Sequence, residues 1–491
     1  MRKFAIAIGL LTFGAAACGD DDAPATAPDA GAGTGAQGGS AGSGGSGGAS
    51  GSSGRGGAGT GGGAGSAGNG GSAGSGGSSG TGGSGGTGGS SGTGGTPSVE
   101  CPALPAPSGT TQRVTPAQAG ELPNLVGAAA SGTTLLLEDG TYTIGAPLWF
   151  RTSGVSLRSA SNDATKVTID GNYAVNETIA IQASNVTVAH VTLTRSIDHL
   201  VHVSPPDGNA GVAGTVLYGL RLIDGGEQFV KVNPNGARSA YVDQGRVECS
   251  SFELTDAGRP HIEPCCGGCY TGGIDVHGGR DWVVRNNRFA SIYCPTGLAE
   301  HAIHFWTGSR GTLVENNAIV NCARGIGFGL GEDVSGARVY PDANNGQPLG
   351  HYDGIIRNNV IWANVPAYDT GIELQVVKRP IVVHNTVIHG SGATNAFSSI
   401  DYRFAATDVV IANNLAIRVS NRDGAQGTAS NNLEATPLDY FVDAAGLDFH
   451  LKASATNAID RGQVRAESGV DIDGQPHDQG APDLGADEYR P

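Results

Sequence analysis

Two neighbouring segments of the chain share one pattern of alternating apolar and polar residues. Residues 274–277 alternate, pass a glycine turn and continue into residues 282–287, and residues 303–306 and 313–317 repeat the arrangement. Alternation over four to five residues is β-strand periodicity, and Gly, Ser and Asn separate the strands. A unit that repeats in this way predicts a solenoid built from short strands.

An asparagine follows the strand pattern at the same place in successive repeats. It recurs at spacings of 30, 42, 27 and 28 residues, at Asn286, Asn316, Asn358, Asn385 and Asn413, and His190 holds the equivalent place earlier. Three short strands fit such a repeat, and the long spacing marks one large insertion. Because Asn tolerates left-handed backbone and its amide can hydrogen-bond to its stacked neighbours, we expect a structural corner.

The repeat resembles the right-handed parallel β-helix proteins, the architecture of pectate lyases and related polysaccharide-active proteins, over roughly residues 130–450. This resemblance implies an all-β solenoid with three strands per coil, an N-terminal cap and long inserted loops. We assign residues 101–154 to the cap and first coil, with a short helix over 116–130, residues 155–430 to the β-helix, and 431–491 to a C-terminal cap or tail.

The first hundred residues have a different composition. Two basic residues precede an apolar run over residues 4–17, which is too short to span a bilayer and is typical of a secretory signal. Three alanines then lead into Cys18, and this stretch resembles the lipidation site of bacterial lipoproteins. The resemblance assigns residues 1–18 to the signal peptide and its lipidation site. The alternative is an ordinary signal peptide in which Cys18 occurs by chance. The Gly/Ser-rich residues 19–100 offer too little apolar surface for a core and predict a disordered tether.

The lipoprotein resemblance implies an outer-membrane protein, held through its N-terminal lipid and facing the periplasm or the cell surface, because Gly19 rather than Asp follows the cysteine. The formal net charge is −16, without a Lys/Arg cluster, which argues against a nucleic-acid partner. A polyanionic sugar would be repelled at long range unless cations or local basic groups intervene. We expect a monomer.

Seven further cysteines predict disulfides, and their odd number leaves at least one unpaired within the chain. They are Cys101, Cys249, Cys265, Cys266, Cys269, Cys294 and Cys322. The cluster at residues 265–269 superficially resembles half of a zinc site, but no matching His/Cys pair lies at ligand spacing.

Aligning one strand of each coil on the asparagine corner separates core-facing from outward-facing residues. The core-facing pairs are Ile179/Ile181, Val201/Val203, Val230/Val232, Ile274/Val276, Ile303/Phe305, Ile326/Phe328, Ile372/Leu374 and Ile400/Tyr402. The first outward column contains Ala180, His202, Lys231, Asp275, His304, Gly327, Glu373 and Asp401. The second outward column contains Gln182, Ser204, Asn233, His277, Trp306, Gly329, Gln375 and Arg403. Rungs about 4.8 Å apart would bring these residues into one strip.

The outward columns carry the candidate chemistry. Candidate catalytic residues are Lys231, His277, His304 and Arg403. Candidate substrate contacts are Trp306, Asn233, Gln375, Arg324 and Tyr340. Candidate calcium ligands are Asp275, Glu373 and Asp401, and the tail acids Asp471, Asp473, Asp478, Asp483 and Asp487 form either a calcium site or a solvated cap.

A solvated sheet face is the simpler interpretation of these columns, but two imidazoles and an indole favour a binding face. Gly327 and Gly329 are expected to leave a shallow gap in it. Insertions over residues 255–271, 293–300 and 332–352 enter the same sheet and are expected to wall a groove, stapled by cysteines.

The strip distantly resembles that of chondroitinase-B-like and alginate lyases. Lys231 matches the family's lysine, and residues 274–278 fall where the family has an Arg-His-Gly strand, although no Arg precedes His277 and only Glu227 stands for a glutamate pair. The resemblance implies β-elimination, with a base and a positive group or calcium against the uronate carboxylate. The alternatives are a glycosidase using two carboxylates, a non-catalytic glycan-binding or adhesion lipoprotein, and a spacer without a ligand.

Overall fold

The computed structural model describes residues 101–491 except 209, 263, 266, 267, 295 and 479. For residues 264, 265 and 268 it describes the backbone only. The predicted signal peptide, Cys18 and the Gly/Ser-rich tether lie outside the described residues, and the lipid anchor stays a prediction. From Thr111 onward the chain winds as a solenoid of short parallel strands, and each coil passes through three sheets in the same order. The predicted three-stranded coil is confirmed.

The strands are short, and each sheet runs the length of the solenoid. The first sheet contains Thr111–Val114, Thr134–Leu137, Ser156–Ser159, Thr187–Ala189, Val216–Tyr218, Arg246–Glu248, Val283–Arg285, Ser309–Arg310, Leu313–Glu315, His351–Tyr352, Ile355–Arg357, Val377–Val383, Asp408–Ala412 and Gln426–Ser430. The second sheet contains Gly140–Thr143, Val167–Asp170, Thr192–Thr194, Arg221–Ile223, Ser251–Glu253, Arg288–Ala290, Ala318–Val320, Val360–Ala363, Thr386–His389 and Leu415–Ala416. The third sheet contains Leu148–Phe150, Ile179–Ile181, Val201–Val203, Gln228–Val232, Gly272–His277, His301–Trp306, Arg324–Phe328, Thr370–Gln375, Ser398–Arg403 and Val419–Arg422.

Smaller elements lie outside the three sheets. Among the described residues, the two-stranded pairings join Val212–Ala213 with Val242–Asp243, Pro264–Cys265 with Gly268–Cys269, and Phe441–Asp443 with Asp448–Leu451. The helices are the α-helix Leu122–Ala128 and the 3-10 helices Pro116–Glu121, Arg259–His261, Asn344–Gly346 and Leu438–Tyr440. Among the described residues, no helix is both long and apolar enough to cross a bilayer.

The solenoid interior is filled by the apolar residues that the alignment predicted. The stacked pairs of the third sheet are in register from Ile179 to Tyr402, and all of them are buried. Leu122 and Val126 of the first helix pack onto the same core, which confirms the helix predicted near residues 116–130. That helix covers the apolar end that an open solenoid would expose.

The asparagine corner joins the first sheet to the second, and it consists of two adjacent columns rather than one. The outer column has left-handed backbone at Asn286, Asn316, Asn358, His384 and Asn413. The sequence alignment therefore placed Asn385 one residue out of step, because it belongs to the inner column. The inner column is a ladder in which each amide oxygen accepts from the coil before it. Its members are the buried Asn287, Asn317, Asn359, Asn385 and Asn414 and the partly buried Asn432.

The tail after residue 431 packs against the outer face of the second sheet. Phe449, Leu451 and Ile472 of the tail bury Trp362 and Ile388 of that sheet. Residues 461–471 also run back along the outer corner column, where four amides donate to tail carbonyl oxygens: Asn431 to Arg461 (2.8 Å), Asn413 to Gln463 (2.8 Å), Asn358 to Ser468 (2.6 Å) and Asn316 to Asp471 (2.7 Å). The tail is thus a strap along the side of the solenoid.

Among the cysteines whose side chains the structure describes, two disulfides join separate parts of the chain. Cys101 is bonded to Cys249, and Cys269 is bonded to Cys294, which links the loops that precede two adjacent strands of the third sheet. Cys322 is buried and unpaired. Burial raises the pKa of its thiol to about 12, so it is a packed apolar group and not a reactive thiolate.

Candidate functional site

The first outward column of the third sheet forms as the sequence predicts. Parallel pairing places its members on successive strands in the order Ala180, His202, Lys231, Asp275, His304, Gly327, Glu373 and Asp401. In the second outward column His277 pairs with Trp306 and Gln375 with Arg403. Residues that lie far apart in sequence are therefore neighbours on one face.

This face is covered, whereas the alternation in the sequence predicts a strip that faces solvent. Lys231 and His304 are only 1% exposed, and Asp275 and Glu373 are at most 6% exposed. Trp306 contributes to this cover through its contact with Asp275, and Tyr270, from the loop before the strand, does so through its contact with Lys231. Buried charges are stable only when they are paired and hydrogen-bonded.

Lys231 and Asp275 form the first buried ion pair of the column. Lys231 Nζ donates to Asp275 Oδ2 at 3.1 Å and to the hydroxyl of Tyr270 at 3.0 Å. Burial alone would raise the pKa of Asp275, but Lys231 and His277 hold it well below its usual range. Asp275 is therefore a carboxylate at neutral pH, and it stabilises Lys231 as an ammonium.

Three aromatic rings surround the same carboxylate. Trp306 Nε1 donates to Asp275 Oδ1 at 2.8 Å, and His277 Nε2 lies 3.2 Å from Oδ2. The rings of His304 and Trp306 are stacked, with centroids 5.2 Å apart, and His277 is tilted against Trp306 at 4.5 Å. Asp275 and the two imidazoles thereby fix the orientation of the indole, whose side chain is partly exposed.

A second polar cluster adjoins the first and is centred on Glu373. Glu373 Oε2 lies 2.9 Å from His301 Nε2, and Gln375 Nε2 donates to Oε1 at 2.5 Å. Burial would raise the pKa of Glu373, but Arg324 and His301 lower it strongly. Burial would lower the pKa of His301, yet Glu300 and Glu373 raise it. Arg324, predicted as a substrate contact, thus lies beside these acids and supplies positive charge to the cluster.

The last predicted members of the strip are engaged with the final coil. Arg422 donates both Nε and Nη2 to the carboxylate of Asp401 at 2.8 Å, and Arg403 Nε donates to Asp423 at 2.8 Å. The Arg403 side chain is 22% exposed. Asp401 therefore pairs with Arg422 although it lies next to Glu373 in the column, and Arg403 pairs outside the clusters around Asp275 and Glu373.

The three carboxylates predicted as calcium ligands do not converge. Asp275 and Glu373 are three strands apart along the column, roughly 14 Å at about 4.8 Å per strand, and only Asp401 neighbours Glu373. Each one already contacts a cationic side chain: Lys231, Arg324 or Arg422. These residues therefore do not fit a shared calcium ion, and a calcium requirement stays an untested prediction.

The shallow gap expected at Gly327 and Gly329 is filled. A Cβ at Gly327 would lie 2.7 Å from His301 Nε2, and one at Gly329 would lie 1.8 Å from the Gln375 carbonyl oxygen. The glycines leave room for the protein's own imidazole and backbone, because side chains there would collide with them. The prediction of a ligand gap at these two glycines is therefore wrong.

The long insertion over residues 332–352 packs beside the sheet. Tyr340 is buried, and its hydroxyl donates to the Gly308 carbonyl oxygen at 3.0 Å. Arg338 donates to Asp243 at 2.6 Å and to the Gly278 carbonyl oxygen at 2.9 Å. Tyr340 therefore anchors the loop. Its side chain lies apart from the clusters around Asp275 and Glu373. Asn233, by contrast, directly follows a third-sheet strand and is partly exposed.

Three residues of the site were missed from the sequence: Tyr270, Glu300 and His301. Tyr270 contacts Lys231, while Glu300 and His301 lie directly before the strand that carries His304. The spacing Glu300-His301-x-x-His304 is a recognisable cluster of metal-binding residue types and could have drawn attention. Tyr270 offered no such indication, since its contact depends on the path of the preceding loop.

Comparison with protein families identifies the coils around this site. Residues 230–416 match the family described as "Right handed beta helix region". The solenoid is a right-handed parallel β-helix. The match spans both polar clusters of the β-helix, from Lys231 to Asp401, and no curated protein sequence matches the chain.

Several solved structures are similar to this β-helix at low sequence identity. Pectate lyase Pel9A is 16% identical, with 78% of this chain and 98% of that chain covered and a TM-score of 0.45. A rhamnogalacturonan lyase is 12% identical, with 71% and 97% covered and a TM-score of 0.47. The surface protein and adhesin PfbA of Streptococcus pneumoniae is 11% identical, with 65% and 97% covered and a TM-score of 0.37. Likenesses at this level carry no argument about the activity of this β-helix.

Proposed function

We propose that the protein binds glycan chains across the third sheet and that Trp306 is the central contact. The observation that carries this proposal is the indole itself, which is partly exposed while its Nε1 donates to the buried carboxylate of Asp275. His277 and His304 pack against the ring and hold it in place. An aromatic ring with a fixed orientation loses little entropy when a sugar stacks on it.

Partly exposed polar side chains of the second outward column extend the proposed surface. Asn233 precedes Trp306 by two strands, and Arg403 follows it by three. Amides and guanidinium groups donate hydrogen bonds to sugar hydroxyl and carboxylate oxygens. A chain lying along the column would meet these groups in turn, and the buried charges beneath would support the surface without touching the ligand.

Catalysis by β-elimination is the second candidate, and the contact between Tyr270 and Lys231 at 3.0 Å favours it, since both side chains can transfer protons. The pairing of Lys231 with Asp275 weighs against it. An elimination base must be unprotonated, whereas a neighbouring carboxylate favours the ammonium form. We therefore rank binding above elimination.

The binding proposal is tested by affinity electrophoresis of the full chain in gels that contain uronate polymers or neutral glycans. We expect retardation by at least one polymer and a loss of about tenfold in affinity for Trp306→Ala, because the stacking platform is removed. Trp149→Ala is the matched control, since Trp149 is also partly exposed on the third sheet and lies in a coil far from the clusters. Unchanged binding by Trp306→Ala, or no binding of any polymer by the wild type, would refute the proposal.

Elimination is tested separately by the ultraviolet absorbance of unsaturated uronate products. The binding proposal expects no rise with any uronate polymer. A rise that Tyr270→Phe abolishes would instead establish elimination, and this substitution removes one hydroxyl without leaving Lys231 and Asp275 unpaired.

A further inference from the structure

Glu300, His301 and His304 present ligand atoms toward one point beside the third sheet. One atom from each residue lies within 4.8 Å of the other two. Glu300 Oε2 lies 3.8 Å from His301 Nδ1 and 4.0 Å from His304 Nδ1. A tetrahedral ion with bonds of about 2.0–2.1 Å separates its ligand atoms by roughly 3.3 Å. Small side-chain rotations would therefore close the three atoms around an ion.

The partners of the two imidazoles set their tautomers. His301 Nε2 faces the carboxylate of Glu373 at 2.9 Å, and His304 Nε2 faces the Gly329 carbonyl oxygen at 3.2 Å. Both partners are hydrogen-bond acceptors, so each Nε2 carries a proton, and the lone pair that an ion needs is then on Nδ1. His304 Nδ1 also lies 3.4 Å from Asp275 Oδ1, so a proton shared with that carboxylate is released when an ion binds. Metal-binding histidines typically donate their other ring N–H to a carboxylate or a backbone carbonyl in this way.

Two of the converging atoms have no hydrogen-bond partner among the described residues. These atoms are His301 Nδ1 and Glu300 Oε2, and both are buried. The His301 side chain is 1% exposed, so solvent cannot satisfy its Nδ1 from the open side. Buried polar atoms without partners cost stability, and they point to a missing ligand.

We propose that Glu300, His301 and His304 bind a divalent transition-metal ion of the Zn²⁺ class. Imidazole nitrogens suit Zn²⁺, Co²⁺ and related ions, whereas Ca²⁺ and Mg²⁺ require a shell of oxygen ligands. The ion would join the two lone pairs to the carboxylate and give both unpartnered atoms a bond. Glu373 and the Gly329 carbonyl would orient the histidine ligands.

The proposed site leaves a coordination position open. Three protein ligands leave the fourth place of a tetrahedral ion to water or another small ligand. Glu300 is the most exposed of the three ligands, with 18% of its side chain accessible against 1% for His301 and 2% for His304. The site adjoins the proposed glycan surface through His304, whose ring stacks on Trp306, but none of its three ligands is itself a proposed sugar contact.

Cobalt and zinc binding to the purified full chain test this proposal after dialysis against a chelator. Co²⁺ is expected to give visible d–d absorption at one equivalent, without the sulfur-to-cobalt charge-transfer band that a cysteine site would produce. Zn²⁺ is expected to remove this absorption by competition. No cobalt spectrum and no zinc uptake by the wild type would overturn the proposal.

Variants assign the binding to these residues. Glu300→Gln and His301→Asn are expected to abolish the cobalt spectrum, and Glu373→Gln is expected to weaken zinc binding about tenfold or more, because it removes the partner of His301 Nε2. His202→Asn is the matched control, since His202 is an imidazole of the same column 3.1 Å from the carboxylate of Glu177. Circular dichroism verifies folding. A cobalt spectrum that survives in folded Glu300→Gln would overturn the proposal as well.

Discussion

His384 occupies a corner position that asparagine fills in the neighbouring coils. Its backbone is left-handed, with φ +53°, and its Nε2 lies 2.9 Å from Asn413 Nδ2 and 3.0 Å from Ser468 Oγ. The ring packs against His477 at a centroid distance of 4.1 Å. Burial, assisted by His477, lowers the pKa of His384 to about 3. The folded protein therefore holds this imidazole neutral.

Acid should destabilise the protein through His384, and His384→Asn should reduce the effect. Below pH 6.5, the ordinary pKa of histidine, the His384 imidazole takes up a proton in the unfolded chain but not in the folded protein. The folded state therefore keeps its full stability above about pH 6.5 and loses part of it as the pH falls toward 3. At pH 5 the loss amounts to about 2 kcal/mol. Urea unfolding of both proteins at about pH 7.5 and pH 5 measures it, and equal acid losses in the two would contradict the assignment.

The identities of the column residues could be predicted from the sequence, but their burial and pairing could not. Alternation places Lys231, Asp275 and Glu373 on one side of successive strands whatever surrounds them. Their cover and counter-charges come from segments with no strand periodicity, such as the loop that carries Tyr270. An alignment of strands contains no information about where such a loop returns.

The buried asparagine ladder ties successive coils together at the level of the element. Asn359 shows the pattern: its Nδ2 donates to Asn385 Oδ1 at 2.9 Å and to the Val314 carbonyl oxygen at 3.0 Å, while its Oδ1 accepts from Asn317. Every amide in the ladder thus serves two coils. Because these groups are shielded from water, each depends on its neighbours for its hydrogen bonds.

Replacing one rung should destabilise the coils on both sides. Asn359→Ala removes the acceptor of the buried Asn317 backbone N–H and one of the acceptors of its side-chain amide, and it deletes the bonds that Asn359 Nδ2 donates, so we expect a loss of about 2–4 kcal/mol in the free energy of unfolding. Asn421→Ala, on an exposed residue of the last third-sheet strand, should change it by less than about 0.5 kcal/mol. Chemical unfolding of both variants makes the comparison, and similar losses would mean that the ladder adds no stability.

The period of the corner could be predicted from the sequence. Its register could be predicted correctly only in coils that carry the same Asn-Asn pair. Asn-Asn pairs stand at 286–287, 316–317, 358–359 and 413–414, but residues 384–385 are His-Asn. Aligning by residue type selects Asn385, whereas the left-handed residue is His384. Backbone conformation, and not side-chain identity, defines the outer column.

At the scale of the whole molecule, the strap closes one side of the solenoid. Its apolar residues cover a face of the second sheet that would otherwise expose Trp362 and Ile388. The ring of Phe449 lies 6.0 Å from Trp362 and 5.7 Å from Phe441. The tail therefore covers the side of the second sheet. Its position could not be predicted because the segment has little regular secondary structure to align.

Phe449→Ala should release the strap from the sheet. The substitution empties a buried aromatic site, which typically costs about 3–5 kcal/mol. We expect faster amide hydrogen exchange in Val360–Ala363 and Thr386–His389, with little change in Val167–Asp170 near the other end. Val442→Ala is the control, since Val442 is 49% exposed on the same small sheet as Phe449. Faster exchange throughout the solenoid would contradict a local role.

The return path of residues 461–471 has a mechanical consequence. A solenoid held only by contacts between neighbouring coils can be peeled from its end one coil at a time. Here tail carbonyl oxygens accept hydrogen bonds from corner asparagines of several coils, in the reverse of their order along the chain. The acceptors are those of Arg461, Gln463, Ser468 and Asp471. Residues beyond 471 contact the same coils, since Gly485 N donates to the Asn413 carbonyl oxygen and Ala486 N donates to Thr386 Oγ1. Tension on the end of the tail would therefore bear on several coils at once and not on the last coil alone. The C-terminal coils should therefore resist unzipping and yield together.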